Sequence, residues 1–123
     1  MEFTDLRVWI EAKELVLKTY KITAQFPKAE MYTLADQLRR STNSICANIA
    51  EGFNRYHAKD KIRFYYNARG SISESQSHLM IALELGYIER SFADEMIEGF
   101  NRVRIMLNAM IKSVNRCYES RTK

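Results

Sequence analysis

The residues of this chain that could do chemistry are two histidines, two cysteines and 19 lysines and arginines. His57 falls in a short polar-aromatic stretch, and His78 falls in a long helical pattern. Neither is followed by a Glu or a second His three or four positions on, the spacing that places two metal ligands on one helix face. Glu74 and His78 do stand four apart, a spacing that suits a surface or interface contact better than a ligand set. No inward Glu-x-x-His pair of the di-iron bundles occurs, and no glycine-rich phosphate loop. Cys46 sits between Ile45 and Ala47 and reads as a buried, inert thiol, and Cys117 has no CxxC partner. Nucleophile, base and metal are each missing a second member, so we expect no catalysis, no cofactor and no metal.

The basic residues are better placed. Arg39 and Arg40 are adjacent; Arg55, Lys59, Lys61 and Arg63 follow around Tyr56 and His57; Arg102, Arg104, Lys112 and Arg116 recur along the last helical pattern. Arginine's planar fork matches phosphate, and aromatic rings stack on unpaired bases, so these ten residues are the candidate nucleic-acid contacts. The net charge is only +4, but it is uneven: 31–63 and 99–123 are basic while 64–98 is acidic. That asymmetry suits an anionic partner, and equally suits acidic-to-basic contacts between subunits. The same charges also serve ordinary solvated helix faces, and Arg40 or Arg69 could pair with Glu51, Glu74 or Glu84 inside an interface.

The elements that hold these residues are helical. A chain of 123 residues, 46% hydrophobic and 28% charged, can bury one core, and four Gly and one Pro supply little turn chemistry for an all-β fold. Val8, Ala12, Leu15, Ile22 and Phe26 lie on one stripe of a first helix over about 5–25, capped by Thr4 or Asp5 and stopped by Pro27. A second helix begins near 31–34 and ends near 51, with Gly52 as its left-handed cap. A third runs over about 59–85 to Gly86; Ile62, Tyr65, Arg69, Ile72, Gln76, Leu79 and Leu83 step alternately by three and four, with Gly70, Ser73 and Ser77 beside them for close approach. A fourth follows a cap at Ser91, with Asp94 and Glu95 in its first turn, and reaches about 118, leaving a frayed tail at 119–123. Short connections make this an all-α, antiparallel up-down-up-down four-helix bundle, a single domain over 1–123. The first twenty residues hold too many charges for a signal peptide, and no apolar run reaches the roughly 20 residues that span a bilayer, so a cytoplasmic protein with reduced thiols and no membrane partner is expected.

Polar side chains interrupt the inner face of the second helix. Leu34, Leu38, Ser41, Ile45 and Asn48 keep a heptad rhythm in which Ser and Asn occupy positions a packing helix gives to aliphatics. Gln37, Ser44, Asn48 and Gln76 either satisfy one another within one chain or fix register and oligomer state between chains. Each helix also carries more apolar surface than a monomeric bundle needs, which points to self-association.

These residues resemble a known family. Asp5 to Trp9, Phe26-Pro27, Gln37 to Ser41, Ser44-Ile45, Asn48 to Gly52, Ala68 to Glu74 and Leu85 to Ile88 are similar to the bacterial four-helix-bundle proteins encoded by intervening sequences of large-subunit ribosomal RNA genes. The accessory variability proteins of diversity-generating retroelements resemble the same group. The resemblance covers nearly the whole chain. It implies a cyclic homopentamer that binds nucleic acid through basic surface and has no enzymatic activity. It is closer to the ribosomal group, so a reverse-transcriptase partner is not expected. Cys46 stands where that family has Pro, implying a weaker helix kink, and His57 stands near a capping Ser, implying a looser start to the third helix. The reading that results is a homo-oligomeric bundle binding structured RNA; the alternative is a protein-interaction scaffold whose charges serve assembly.

Overall fold

The computed structural model describes residues 1–122. A single 3-10 turn, Phe3–Asp5, precedes α1 (Arg7–Thr23); a second, Lys28–Glu30, leads into α2 (Leu34–Asn54); α3 (Ala58–Glu84) and α4 (Arg90–Thr122) follow, with no strand among the described residues. Hydrogen bonds and ion pairs between helices fix the directions. Thr23 meets Arg39 while Tyr20 meets Asn43; Ser41 meets Ser75 while Ser44 meets Ser71; Gln76 meets Asn101 while Arg69 meets Asn108; Lys18 meets Glu95 while Glu11 meets Arg102. In every pair the numbers run oppositely, so each helix is antiparallel to the next and α1 closes the ring on α4. The diagonal pairs, α1 with α3 and α2 with α4, do not approach.

The core follows from the apolar stripes. Leu38, Ile45 and Ile49 of α2, Ile72 and Leu79 of α3, and Met96, Phe100, Val103 and Leu107 of α4 are almost wholly enclosed. Each large aliphatic or aromatic there contributes about 1.5–3 kcal/mol by leaving water. The buried stripe of α3 is Tyr65, Ala68, Ile72, Ser75, Leu79 and Ala82. Arg69 and Gln76, read from sequence as part of the inner heptad, lie to one side of it and reach α4. Their polar heads find amide partners there that the core could not supply.

Several boundaries differ from the sequence reading, each for a physical reason. Neither Thr4 nor Asp5 caps α1: extended Leu6 precedes it without a side-chain cap, and the Asp5 carboxylate instead accepts the Glu2 amide at 2.9 Å. The end of α1 moves back to Thr23, where Thr19 and Thr23 donate to carbonyls one turn earlier, at 2.8 and 2.6 Å. Gly52 is not a left-handed cap. It is inside α2, where Tyr65 packs directly against it: a Cβ there would sit 2.5 Å from the ring. The α2 carbonyls are closed from outside by the Lys61 ammonium, which donates to Phe53 O at 2.7 Å and Gly52 O at 3.3 Å. Gly70 opens no close approach either, since a Cβ there would meet nothing within 4 Å. The tight spot missed by sequence reading is Gly99, where a Cβ would stand 2.7 Å from Leu15. His57 precedes α3 without a side-chain cap bond. The α3 to α4 turn does use its glycine as expected, Gly86 at φ 81°. Ser91 lies inside α4, which starts at Arg90 and stays helical through the expected frayed tail to Thr122; Lys123 lies outside the described residues.

The first and last helices differ greatly in length. α1 has 17 residues and α4 has 33. With Lys18 opposite Glu95 and Glu11 opposite Arg102, the start of α1 is level with about residue 106. α4 therefore runs roughly 24 Å past it, at 1.5 Å per residue.

Candidate nucleic-acid interface

The ten candidate basic residues separate into two groups. In the first, the charge is already used. Arg39 Nε–H donates to Thr23 Oγ1 at 2.8 Å and its guanidinium covers the Tyr20 ring at 5.0 Å, so it fastens α2 to α1. Arg40 pairs with Asp36 at 3.4 Å and Arg55 with Glu51 at 3.3 Å, each one turn back along α2. Neither Arg40 nor Arg69 meets the Glu51, Glu74 or Glu84 that the sequence allowed; Glu74 pairs with His78 at 3.4 Å. Arg102 lies 3.5 Å from Glu11, whose other oxygen faces Arg7 at 3.6 Å, two ion pairs too long to be hydrogen bonds. Lys61 closes α2, and burial pushes its ammonium pKa down.

In the second group the charge is not neutralised. Lys59, Arg63, Lys112 and Arg116 are exposed and have no carboxylate within 4 Å among the described residues. Arg63 lies against the Phe64 ring at 4.5 Å, which fixes its stem and leaves its edge to solvent. Arg104 is held by neutral oxygens alone: Asn101 Oδ1 at 2.6 Å, Gln76 Oε1 at 2.7 Å and Ser73 Oγ at 3.4 Å.

The length mismatch of α1 and α4 opens a corner at the end of the bundle, where Lys59 of this second group is found. A cleft of about 750 Å³ lies there, between the start of α3 and the last turns of α4. Tyr56, His57, Lys59 and Lys61 line one wall, and Ser113, Val114, Cys117, Tyr118 and Arg121 the other. Tyr56 is 87% exposed and meets His57 edge-on at 5.2 Å. Sequence reading finds Tyr56, His57, Lys59 and Lys61 but not Arg121, because the tail is expected to fray. The signal is present in the sequence: Arg121 continues the face of Ser113 and Cys117 at steps of four.

Cys46 is partly covered on α2, and burial pushes its thiol up to about 11, so it is protonated at neutral pH; Cys117 is exposed at the rim of the cleft. No group of three or more His, Cys, Asp or Glu that could hold a metal lies among the described residues, and no described helix is long and apolar enough to cross a membrane.

The model of the 23S rRNA-intervening sequence protein family matches residues 4–109. The chain belongs to that family. The match takes in all of α1 to α3 and α4 as far as residue 109, and stops short of the α4 residues that line the cleft. The fold agrees with a crystal structure of a protein of unknown function from the S23 ribosomal protein family of Bacteroides thetaiotaomicron. That structure matches with a TM-score of 0.79 at 21% identity, covering 85% of this chain and 95% of that one. No curated protein matches the chain. Neither the family nor the solved structure carries the label of an enzyme class.

Proposed function

We propose that this protein is a non-enzymatic, cytoplasmic homo-oligomer that binds structured RNA through phosphate contacts at the basic end of its bundle. The observation that carries this reading is the cleft beyond α1. It places Lys59 and Arg121, with no carboxylate within 4 Å among the described residues, beside an almost fully exposed tyrosine. A positively charged groove tracks a backbone, and an exposed ring offers a stacking platform to an unpaired base. Lys59, Arg63, Lys112, Arg116 and Arg121 supply the electrostatic part, and Tyr56 the stacking part. Arg39, Lys61 and Arg102 bridge helices instead, and Arg40 and Arg55 are paired with carboxylates on α2.

Titration of a structured RNA and of duplex DNA at two salt concentrations tests the reading. Affinity should fall steeply with salt, with a log–log slope of about −0.7 to −0.9 per phosphate contact. No binding at low salt sinks it, and binding that ignores salt sinks the phosphate mechanism.

Self-association, with a pentamer as the expected form, is supported by apolar side chains that the ring of four helices leaves uncovered. Leu17 on α1, Ile81 on α3, Leu85 just past its end, and Ile105 on α4 are each more than half exposed. Light scattering should give a multiple of the 14.5 kDa chain mass, five-fold for the pentamer; a monomer mass would refute it.

A further inference from the structure

We propose that a second site, the groove between the middle of α3 and of α4, seats a single phosphate group between Arg69 and Arg104. The groove has a volume of about 580 Å³ and is lined by Tyr66, Arg69, Gly70, Ser73, Arg104 and Asn108. It lies well along the helices from the cleft and shares no lining residue with it.

Two guanidiniums on one groove are like charges brought together, and such a pair is ordinarily neutralised by a carboxylate. Here none lies within 4 Å of either among the described residues. The groups that hold them are all neutral. Arg69 donates to Asn108 Oδ1 at 2.8 Å and lies over the Tyr66 ring at 4.8 Å. Arg104 donates to Asn101 Oδ1, Gln76 Oε1 and Ser73 Oγ, and Gln76 in turn donates to Asn101 Oδ1 at 2.9 Å. Amide oxygens orient a guanidinium without cancelling its charge, so the groups are positioned and remain cationic.

The donors left over match a tetrahedral oxyanion. A guanidinium has five N–H groups, and Arg69 spends one on a protein acceptor. Asn108 accepts from Arg69 through Oδ1, which leaves its Nδ2–H₂ to donate into the groove. The Ser73 hydroxyl adds a rotatable donor on the same wall. Gly70 keeps the entrance open, because its missing side chain would have projected into empty space. Arg104 spends three of its five N–H groups on Asn101, Gln76 and Ser73, so the four left on Arg69, the two left on Arg104, an amide and a hydroxyl, with no competing carboxylate, suit the several oxygens of a phosphate better than the two of a carboxylate.

The inference rests on the RNA reading for the expected source of the phosphate, a backbone phosphodiester; a free phosphate or mononucleotide is the other source of the same chemistry. Arg69→Gln, Arg104→Gln and the double variant are compared with the wild-type protein. For RNA we expect each single variant to lose roughly tenfold in affinity at low salt. All three variants should lose the same single contact from the salt slope, because both arginines grip one phosphate. A double variant that loses twice as much would mean two separate phosphates and overturn the shared seat. Unchanged affinity and slope in all three, with Lys59→Gln and Arg116→Gln still weakening RNA, would overturn the groove and leave the RNA reading intact. If no RNA binds, titration with inorganic phosphate and with adenosine monophosphate decides. Shifts of the Arg69 and Arg104 Nε–H resonances that acetate does not produce support the groove without the RNA reading; no shift refutes it. Circular dichroism of each variant guards against misfolding, and the wild-type resonances need no variant at all.

Discussion

Along its α2 side, helix α3 offers serine, alanine and one tyrosine; along its α4 side it offers arginine, glutamine and another tyrosine. Both seams are polar, yet they do opposite things. On the α2 side Ser75 donates to the carbonyl of Ser71 at 2.8 Å and lies 2.8 Å from Ser41 Oγ. Ser71 lies 2.9 Å from Ser44 Oγ, which also accepts the Asn48 amide at 3.0 Å. Hydroxyls that fold back on their own helix need little room, so the backbones close until Gly52 touches the Tyr65 ring. On the α4 side the long side chains hold each other at arm's length and leave an open groove. Small residues close a polar seam on itself; long ones leave it something to give.

The largest test of the contrast compares two glycines. Gly52→Ala forces a methyl against a ring that is 2% exposed, and should cost about 1–2 kcal/mol net of alanine's better helix propensity. Gly70→Ala meets no atom and should raise stability by about 0.5–1 kcal/mol. Chemical denaturation measures both, and equal signs would end the distinction. Next comes a double-mutant cycle on Ser41 and Ser75. Ser75→Ala alone should cost about 1 kcal/mol by stripping Ser41 of a partner, while removing both hydroxyls should cost less than the sum of the singles. Strict additivity would show that the two do not interact. Smallest is the acid limb. Hydrogen bonds from Thr33 and then Tyr87 hold the Glu30 carboxyl below its usual range, and the Lys18 hydrogen bond and charge do the same for Glu95. Both groups have lowered folded pKa values, so their support is present above the ordinary carboxylate range and is lost as pH falls through the folded values. Unfolding midpoints should drop slightly below about pH 4.5, and Lys18→Met should flatten part of that drop.

The four helices and their order are legible in the sequence because apolar stripes are local. The regular spacing of Arg69 and Gln76 is legible too, but periodicity does not say which neighbour a row faces. What sequence does not show is closure over distance. Lys61 looks like a phosphate ligand, and nothing in its spacing reveals that it folds back to the α2 carbonyls. Arg39 looks the same, although its acceptor, Thr23, lies 16 residues earlier. Gly52 follows a helical pattern and so reads as a cap, until Tyr65 supplies the reason for a glycine inside the helix. The groove is hidden for a related cause: Arg104 is found as a charge, but the absence of any carboxylate beside it, among the described residues, belongs to the assembled pair of helices.

The paired serines also determine a length. Two helices joined only by aliphatic ridges can creep past each other by a turn, about 5.4 Å. Here such a slip would strand hydroxyls at two levels, Ser41 with Ser75 and Ser44 with Ser71. With its register pinned, α3 behaves as a ruler: Lys59 at the cleft and Ser73 at the groove are fourteen residues apart on one stiff rod, about 21 Å. A ligand that touched both places would be gauged by that interval, so the chain could discriminate among folded shapes by their phosphate spacing while reading no base at all.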